Sequence, residues 1–252
     1  MIFFRKIFIV ISIVMLISGV VIAAEKDYEE VLREIDRSQN FDDTDFSAAF
    51  TVVSEKPDEE TSSFKIQMFR RDSEDKFVIV FLDPDVQRGQ GYLKVEENLW
   101  FYDPSSRKFS HSSERETLQD SETRNGDLQA SSLAEDYDII GVTDGTLGRY
   151  NVHVMDLSAK HDEVTFPKVK LWVRKDNNLV LKGQNFSLSG RLMRSDYFPK
   201  YVRVKDRFLA SKMLYVDELK KGERTQMTMA DTSLSSVPNS VFSKSYLERV
   251  NR

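Results

Sequence analysis

The chain of 252 residues contains no cysteine, only three histidines and two tryptophans, and few prolines and glycines. Without cysteine it cannot form disulfides, zinc–thiolate centres or a thiol nucleophile. It also cannot carry the lipid that a lipoprotein takes on its first mature cysteine. His111, His153 and His161 do not stand at metal-ligand spacing, and His153 falls within a strand pattern as a surface or packing residue. No phosphate-cradling glycine loop, H-E-x-x-H pair or G-x-S-x-G elbow occurs. Two S-x-x-K matches, Ser62 to Lys65 and Ser105 to Lys108, fall on a strand start and a turn rather than on a helix, where the two side chains would stack. The acidic pairs Asp42–Asp43, Asp83–Asp85 and Asp136–Asp138 do not continue as calcium loops and read as solvated turns. The net charge is −5, which argues against nucleic acid as a partner. Nothing in the sequence calls for a cofactor or a metal.

The N-terminus is the one long apolar run. Arg5 and Lys6 precede a stretch from Ile7 to Ile22 that is broken only by Ser12, Ser18 and Gly19, and Ala23 and Ala24 close it. This is the pattern of a secretory signal peptide over residues 1–24. The run is short for a bilayer-spanning helix, which takes about 20 residues, so an uncleaved inner-membrane anchor is the second reading. Either way the remainder is exported, and a periplasmic location is expected. Residues 25–252 are expected to form one domain, since all-β units reach this length.

In the mature part, Tyr28, Val31, Leu32 and Ile35 follow helical spacing and predict an amphipathic helix over 26–37. The period then changes to two. Phe46, Ala48, Phe50 and Val52 share one strand face, as do Phe64, Ile66 and Met68. Phe77 to Leu82 is apolar on both faces and predicts a strand covered on both sides. Further strands are expected at 90–96, 98–103, 106–111, 149–157, 168–174, 179–188, 191–197, 202–205, 207–217 and 222–231, separated by turn signals. Residues 112–138 are polar, lack any strand pattern and read as a functional or mobile insertion, with helical turns near 114–119 and 131–136. A short helix ends the chain. The fold class that follows is mainly β with a few helices (α+β): a large, curved, incompletely closed antiparallel sheet wrapped round helices.

Five segments, in order, resemble one family. "FLDPDVQRGQGYL" (81–93) is similar to the P-x-x-x-x-G-x-G-x-L turn of the outer-membrane lipoprotein-sorting, or LolA-like, proteins. "NLWFYDPSSRKF" (98–109), "NGDLQASSLAEDYD" (125–138), "VKLWVRKDNNLVLK" (169–182) and "VFSKSYLERV" (241–250) resemble later segments of the same family. The chain departs from the pattern at Gln129 and Ala130, where the family has a hydroxyl residue and an aromatic, and at Arg174, where it has aspartate. The resemblance implies an unclosed β-barrel around helices and a non-enzymatic periplasmic carrier of lipoprotein or phospholipid acyl chains. Transport components in the inner and outer membranes would be its partners. An envelope-stress sensor or membrane-anchored accessory subunit with the same fold, and a lipid-active enzyme with an unrecognised site, remain open beside it.

The chemistry of carriage fits this composition. Each methylene exposed to water costs about 0.8 kcal/mol, so a 16-carbon chain costs on the order of 12 kcal/mol. An enclosed apolar groove offsets that without any catalytic group. One face of the strands is therefore expected to line a cavity, made by Phe50, Phe64, Ile66, Met68, Phe77, Ile79, Phe81, Leu93, Trp100 and Tyr102. Which strand parity points inward is open at this stage. Arg88, Arg107 and Lys108 are the candidates for contacts with a lipid head group at the rim.

Overall fold

The structure is a computed structural model, and it describes residues 27–250. The signal segment expected at 1–24 lies outside the described residues. Helix α1 (Tyr28–Gln39) begins where Asp27 caps it, its carboxylate accepting the Glu30 N–H at 3.2 Å. Glu29 and Glu30 in the first turn and Arg37 in the last complement the helix dipole. Val31, Leu32 and Ile35 are buried, which is the face that the helical spacing predicts.

The strands that follow form one antiparallel sheet. They are β1 (Phe46–Glu55), β2 (Ser62–Arg71), β3 (Lys76–Asp83), β4 (Gly91–Val95), β5 (Asn98–Asp103), β6 (Lys108–His111) and β7 (Tyr137–Leu147). After these come β8 (Tyr150–Ala159), β9 (Lys168–Arg174), β10 (Val180–Phe186), β11 (Leu192–Val204), β12 (Arg207–Asp217) and β13 (Arg224–Ser233). The sheet order is β6-β5-β4-β3-β2-β1-β13-β12-β11-β10-β9-β8-β7. Each half is a meander, and β1 pairs with β13 to join them. β6 and β7 are the two edges, so the sheet is not closed into a barrel.

The alternation decides what each face meets. Phe46, Ala48, Phe50 and Val52 on β1 and Phe64, Ile66 and Met68 on β2 are buried on the concave side. On β3 both parities are buried. Phe77, Ile79 and Phe81 join the concave core, while Val78 and Val80 face the other way. That outer face is covered by residues 237–250, including the short helix α3 (Lys244–Arg249), through Val237, Val241, Phe242 and Leu247. Gly91 allows this close contact. A Cβ there would stand 2.5 Å from the Ile79 carbonyl oxygen and 2.7 Å from Leu247 Cδ2. Asp45 ties the segment down where it starts. It accepts the Val237 N–H at 2.6 Å and two bonds from Arg71 at 2.8 Å each.

Three elements differ from the sequence expectation. β7 is a full strand, although Asp138, Gly141, Asp144 and Gly145 mask its pattern. As an edge strand with a bulge between Ile139 and Gly141 it has only one neighbour to satisfy, so polar residues and glycine are tolerated. β11 runs unbroken from 192 to 204, and a register shift between Tyr197 and Lys200 accommodates Pro199. Residues 114–119 form turns and a bridge from Thr117 to Arg124 rather than a helix, whereas Leu133–Asp136 forms the short helix α2 as expected.

Candidate functional site

A cavity of about 760 Å³ opens on the concave side of the sheet. One wall comes from the central strands, with Phe46, Phe50, Met68, Leu209, Met213 and Met229. The other comes from β9 and β10, with Val169, Leu171 and Val180. Ile35 of α1 and Phe41 after it form one cover, and the segment from Gly126 to Tyr137 forms another. The covers are joined. The Asp36 carboxylate accepts the N–H groups of Leu133 and Ala134 at 2.9 and 2.8 Å, and Asn40 bonds both backbone groups of Ser131.

Charged groups interrupt the apolar wall in three places. Arg70 reaches Asp72 at 2.6 Å and lies 5.2 Å from the centre of the Phe41 ring. Lys94 is shared by Asp75 at 2.9 Å and Glu114 at 3.1 Å and also donates to Gln129. Arg194 is the deepest. Its Nη1 and Nη2 each lie 2.7 Å from an oxygen of Asp127, and its Nε lies 2.8 Å from Asp196 Oδ1. The guanidinium is sandwiched by Phe166 and Tyr215, 5.0 and 4.7 Å from the ring centres. Burial alone would lower the arginine's pKa, but the two carboxylates outweigh it and hold it well above the ordinary value. Burial raises the Asp196 carboxyl, against the pull of Arg194 and the Asn185 amide that bonds it at 2.6 Å. Asp127 also accepts the Arg124 N–H at 2.7 Å. This pair therefore pins the polar insertion to the sheet.

The structure brings only part of the predicted lining to the cavity. Phe50 and Met68 are on its wall. Phe64, Ile66, Phe77, Ile79 and Phe81 lie on the same concave side but are packed into the core beside it. Leu93, Trp100 and Tyr102 face the other way, beneath the C-terminal segment. The register explains this correction: Leu93 pairs with Trp100 and Gly91 with Tyr102, on the parity that continues Val78 and Val80. On β4 and β5 the concave parity is Tyr92, Lys94, Leu99 and Phe101. Arg88 and Arg107 stand in the β3–β4 and β5–β6 turns and Lys108 opens β6, all at the far end of those strands from Lys94, and none is on the cavity wall. Arg88 bonds Asp85 at 2.6 Å.

The residues missed by sequence reasoning are the inward charges, and they carried a signal. Arg70 continues the parity of Phe64, Ile66 and Met68, Lys94 that of Tyr92, and Arg194 and Asp196 share one face of β11. A charge on an apolar parity marks a polar spot on a buried face. His153 is buried, 3.0 Å from Asp144 and edge-on to Tyr28, in a packing role. Among the described residues Glu122, Asp217 and Glu223 lie close enough to share an ion. They sit beside the β12–β13 turn, and the acidic cluster by itself carries no ligand role.

An open, curved sheet around a covered apolar cavity defines a class, the LolA-like fold. A LolA superfamily protein of Nitrosomonas europaea superposes with a TM-score of 0.76 at 23% identity, covering 86% of this chain and 98% of that one. A domain from Vibrio parahaemolyticus assigned to outer membrane lipoprotein sorting gives 0.76 at 20% identity, over 88% and 100%. A DUF1329 family protein from Desulfovibrio piger gives 0.76 at 17%, over 87% and 97%. A family model described as "Uncharacterized protein" matches residues 73–249, most of the chain, and the chain belongs to that family. No curated protein matches it in sequence.

Proposed function

We propose that the protein is a periplasmic, non-enzymatic carrier that takes up acyl chains of lipoproteins or other lipids and moves them toward the outer membrane. The observation that supports this most is the cavity, about 760 Å³ of space between apolar strand faces and a helix. Its size falls within the roughly 300–1,000 Å³ of small-ligand pockets. The fold shared with lipoprotein-sorting proteins supports the same reading. In this reading the part from residue 25 onward works as one unit between the two membranes. Hand-off components in the two membranes would load and empty it. Native mass spectrometry of protein extracted without added detergent tests the proposal. Copurified acyl lipid, released on unfolding, is expected. A lipid-free protein that also fails to take up long-chain amphiphiles would overturn it.

A further inference from the structure

We infer that the outer face of β9–β12 is a docking surface for an anionic lipid bilayer. This surface lies on the opposite side of the sheet from the cavity, so it is independent of which cargo the cavity holds.

Strand register assembles the face. On β9 the buried residues Val169, Leu171 and Val173 point inward, so Lys168, Lys170, Trp172 and Arg174 point outward. One outward row then runs straight across four strands: Trp172 pairs with Lys182, Lys182 with Tyr197, and Tyr197 with Leu214. Lys200 on β11 and Lys212 on β12 share the outward side, since Lys212 neighbours Met213, which is on the cavity wall. The acidic residues of these strands, Asp196 and Asp217, pair with Tyr215 and Arg194 on the inward parity. The outward parity of β9–β12 therefore carries cations and no carboxylate, in a chain whose net charge is −5.

Two of these cations are matched from neighbouring segments, Lys170 by Asp156 at 3.0 Å and Arg174 by Asp176. Lys168, Lys182, Lys200 and Lys212, one on each strand, have no carboxylate partner among the described residues. Lys200 and Lys212 stand directly opposite each other, an arrangement of like charges that destabilises a sheet. An anionic layer laid against the face removes that cost. The chemistry also selects the layer. Protein interfaces are depleted in lysine and enriched in arginine, whereas the four unmatched cations here are all lysine. Lysines on long apolar stems beside tryptophan and tyrosine are what a head-group layer takes up, with the rings at its apolar boundary and the ammonium groups among the phosphates. Lys182 Nζ lies 4.5 Å from the Trp172 ring centre and 5.5 Å from that of Tyr197, so the row joins both parts. Trp172, Tyr197 and Leu214 are only half-buried. The C-terminal segment covers the outer side of β2–β6 instead, and no described residue plays that part on β9–β12.

The test is flotation of the full mature chain with vesicles of phosphatidylcholine and with vesicles of an equal mixture of phosphatidylcholine and phosphatidylglycerol. The expected result is binding to the mixed vesicles that is lost at high salt and weak or absent on phosphatidylcholine alone. A Lys200→Gln/Lys212→Gln variant should partition roughly 30-fold less, about fivefold for each lysine, with its melting temperature not lowered, since both side chains lie on the outer surface. Brominated acyl chains in the mixed vesicles should quench a tryptophan signal that is missing in Trp172→Phe. Equal binding to both kinds of vesicle, binding that the lysine variant keeps in full, or a Trp172 signal that brominated chains leave unquenched overturns the inference. Binding of soluble polyphosphate without binding of vesicles also overturns it, by making the face a site for another polyanion. Each of these results leaves the carrier reading standing, because copurified acyl lipid tests that reading separately.

Discussion

At the scale of single residues, the charges inside the sheet do the most structural work. Arg194 joins Asp127 of the insertion to Asp196 of the sheet while its own surface is almost wholly buried. Removing one partner of such a pair leaves uncompensated charge in a poor solvent, at a cost of about 3–5 kcal/mol. Arg194→Ala is expected to lose that much stability, or about 2–4 °C in Tm for each kcal/mol; differential scanning calorimetry reads it, and an unchanged Tm would show the pair to be expendable. Asp45 offers a test in pH. The hydrogen bonds from Arg71 hold its carboxyl below the ordinary carboxylate range, against the effect of burial. A carboxylate whose folded pKa is depressed contributes stability above its unfolded pKa, about 3.9, and loses it as pH falls through the folded value. The Tm difference between the wild type and Asp45→Asn should accordingly be full at pH 7 and shrink below about pH 4. A difference that stays constant to pH 2 would contradict the pairing.

At the scale of elements, the C-terminal segment closes the outer face of β2–β6 as a core layer rather than a loose tail. Gly91→Val tests this, because its side chain would meet the Ile79 carbonyl and Leu247 at once. The expected outcome is displacement of α3, seen as faster amide exchange over 244–250, with the concave core less affected. Unaltered exchange would mean that the contact is slack. The same elements show what could be read from the chain. α1, β1 and β2 were legible because their apolar residues keep periods of 3.6 and 2. β3 announced two covered faces by being apolar at every position from Phe77 to Leu82. β7 was hidden because an edge strand needs no such alternation, and β11 looked like two strands because Pro199 sits at a register shift. Two of the three aromatics from Trp100 to Tyr102, Trp100 and Tyr102 themselves, lie on the side opposite to the expected one. Alternation shows that Trp100 and Tyr102 share a face, but only the register through β3 and β4 shows which face that is. Arg70 and Lys94 could have been noticed as charges on apolar parities; Arg70 is held by Asp72 two residues on, whereas the partners of Lys94, Asp75 and Glu114, come from separate segments on either side of it.

At the scale of the whole molecule, an antiparallel sheet that bends but does not close leaves space on its concave side. The helix and the polar insertion cover this space without filling it. Both tryptophans lie off the cavity wall: Trp100 is under the C-terminal segment, and Trp172 is on the outer side, beneath Lys182 at 4.5 Å from the ring centre. Tryptophan fluorescence is therefore a poor reporter of occupancy, and methionine methyl groups are better ones. Met68, Met213 and Met229 stand on the cavity wall, whereas Met155 is fully buried in the cluster between α1 and β7–β9. The most direct measurement of a hydrocarbon-holding cavity is a methyl NMR titration of methionine-labelled protein with hexadecyltrimethylammonium. The expected result is saturable shifts at Met68, Met213 and Met229, with Met155 unmoved. Shifts confined to other methionines, or none at saturating amphiphile, would contradict a chain bound inside the sheet.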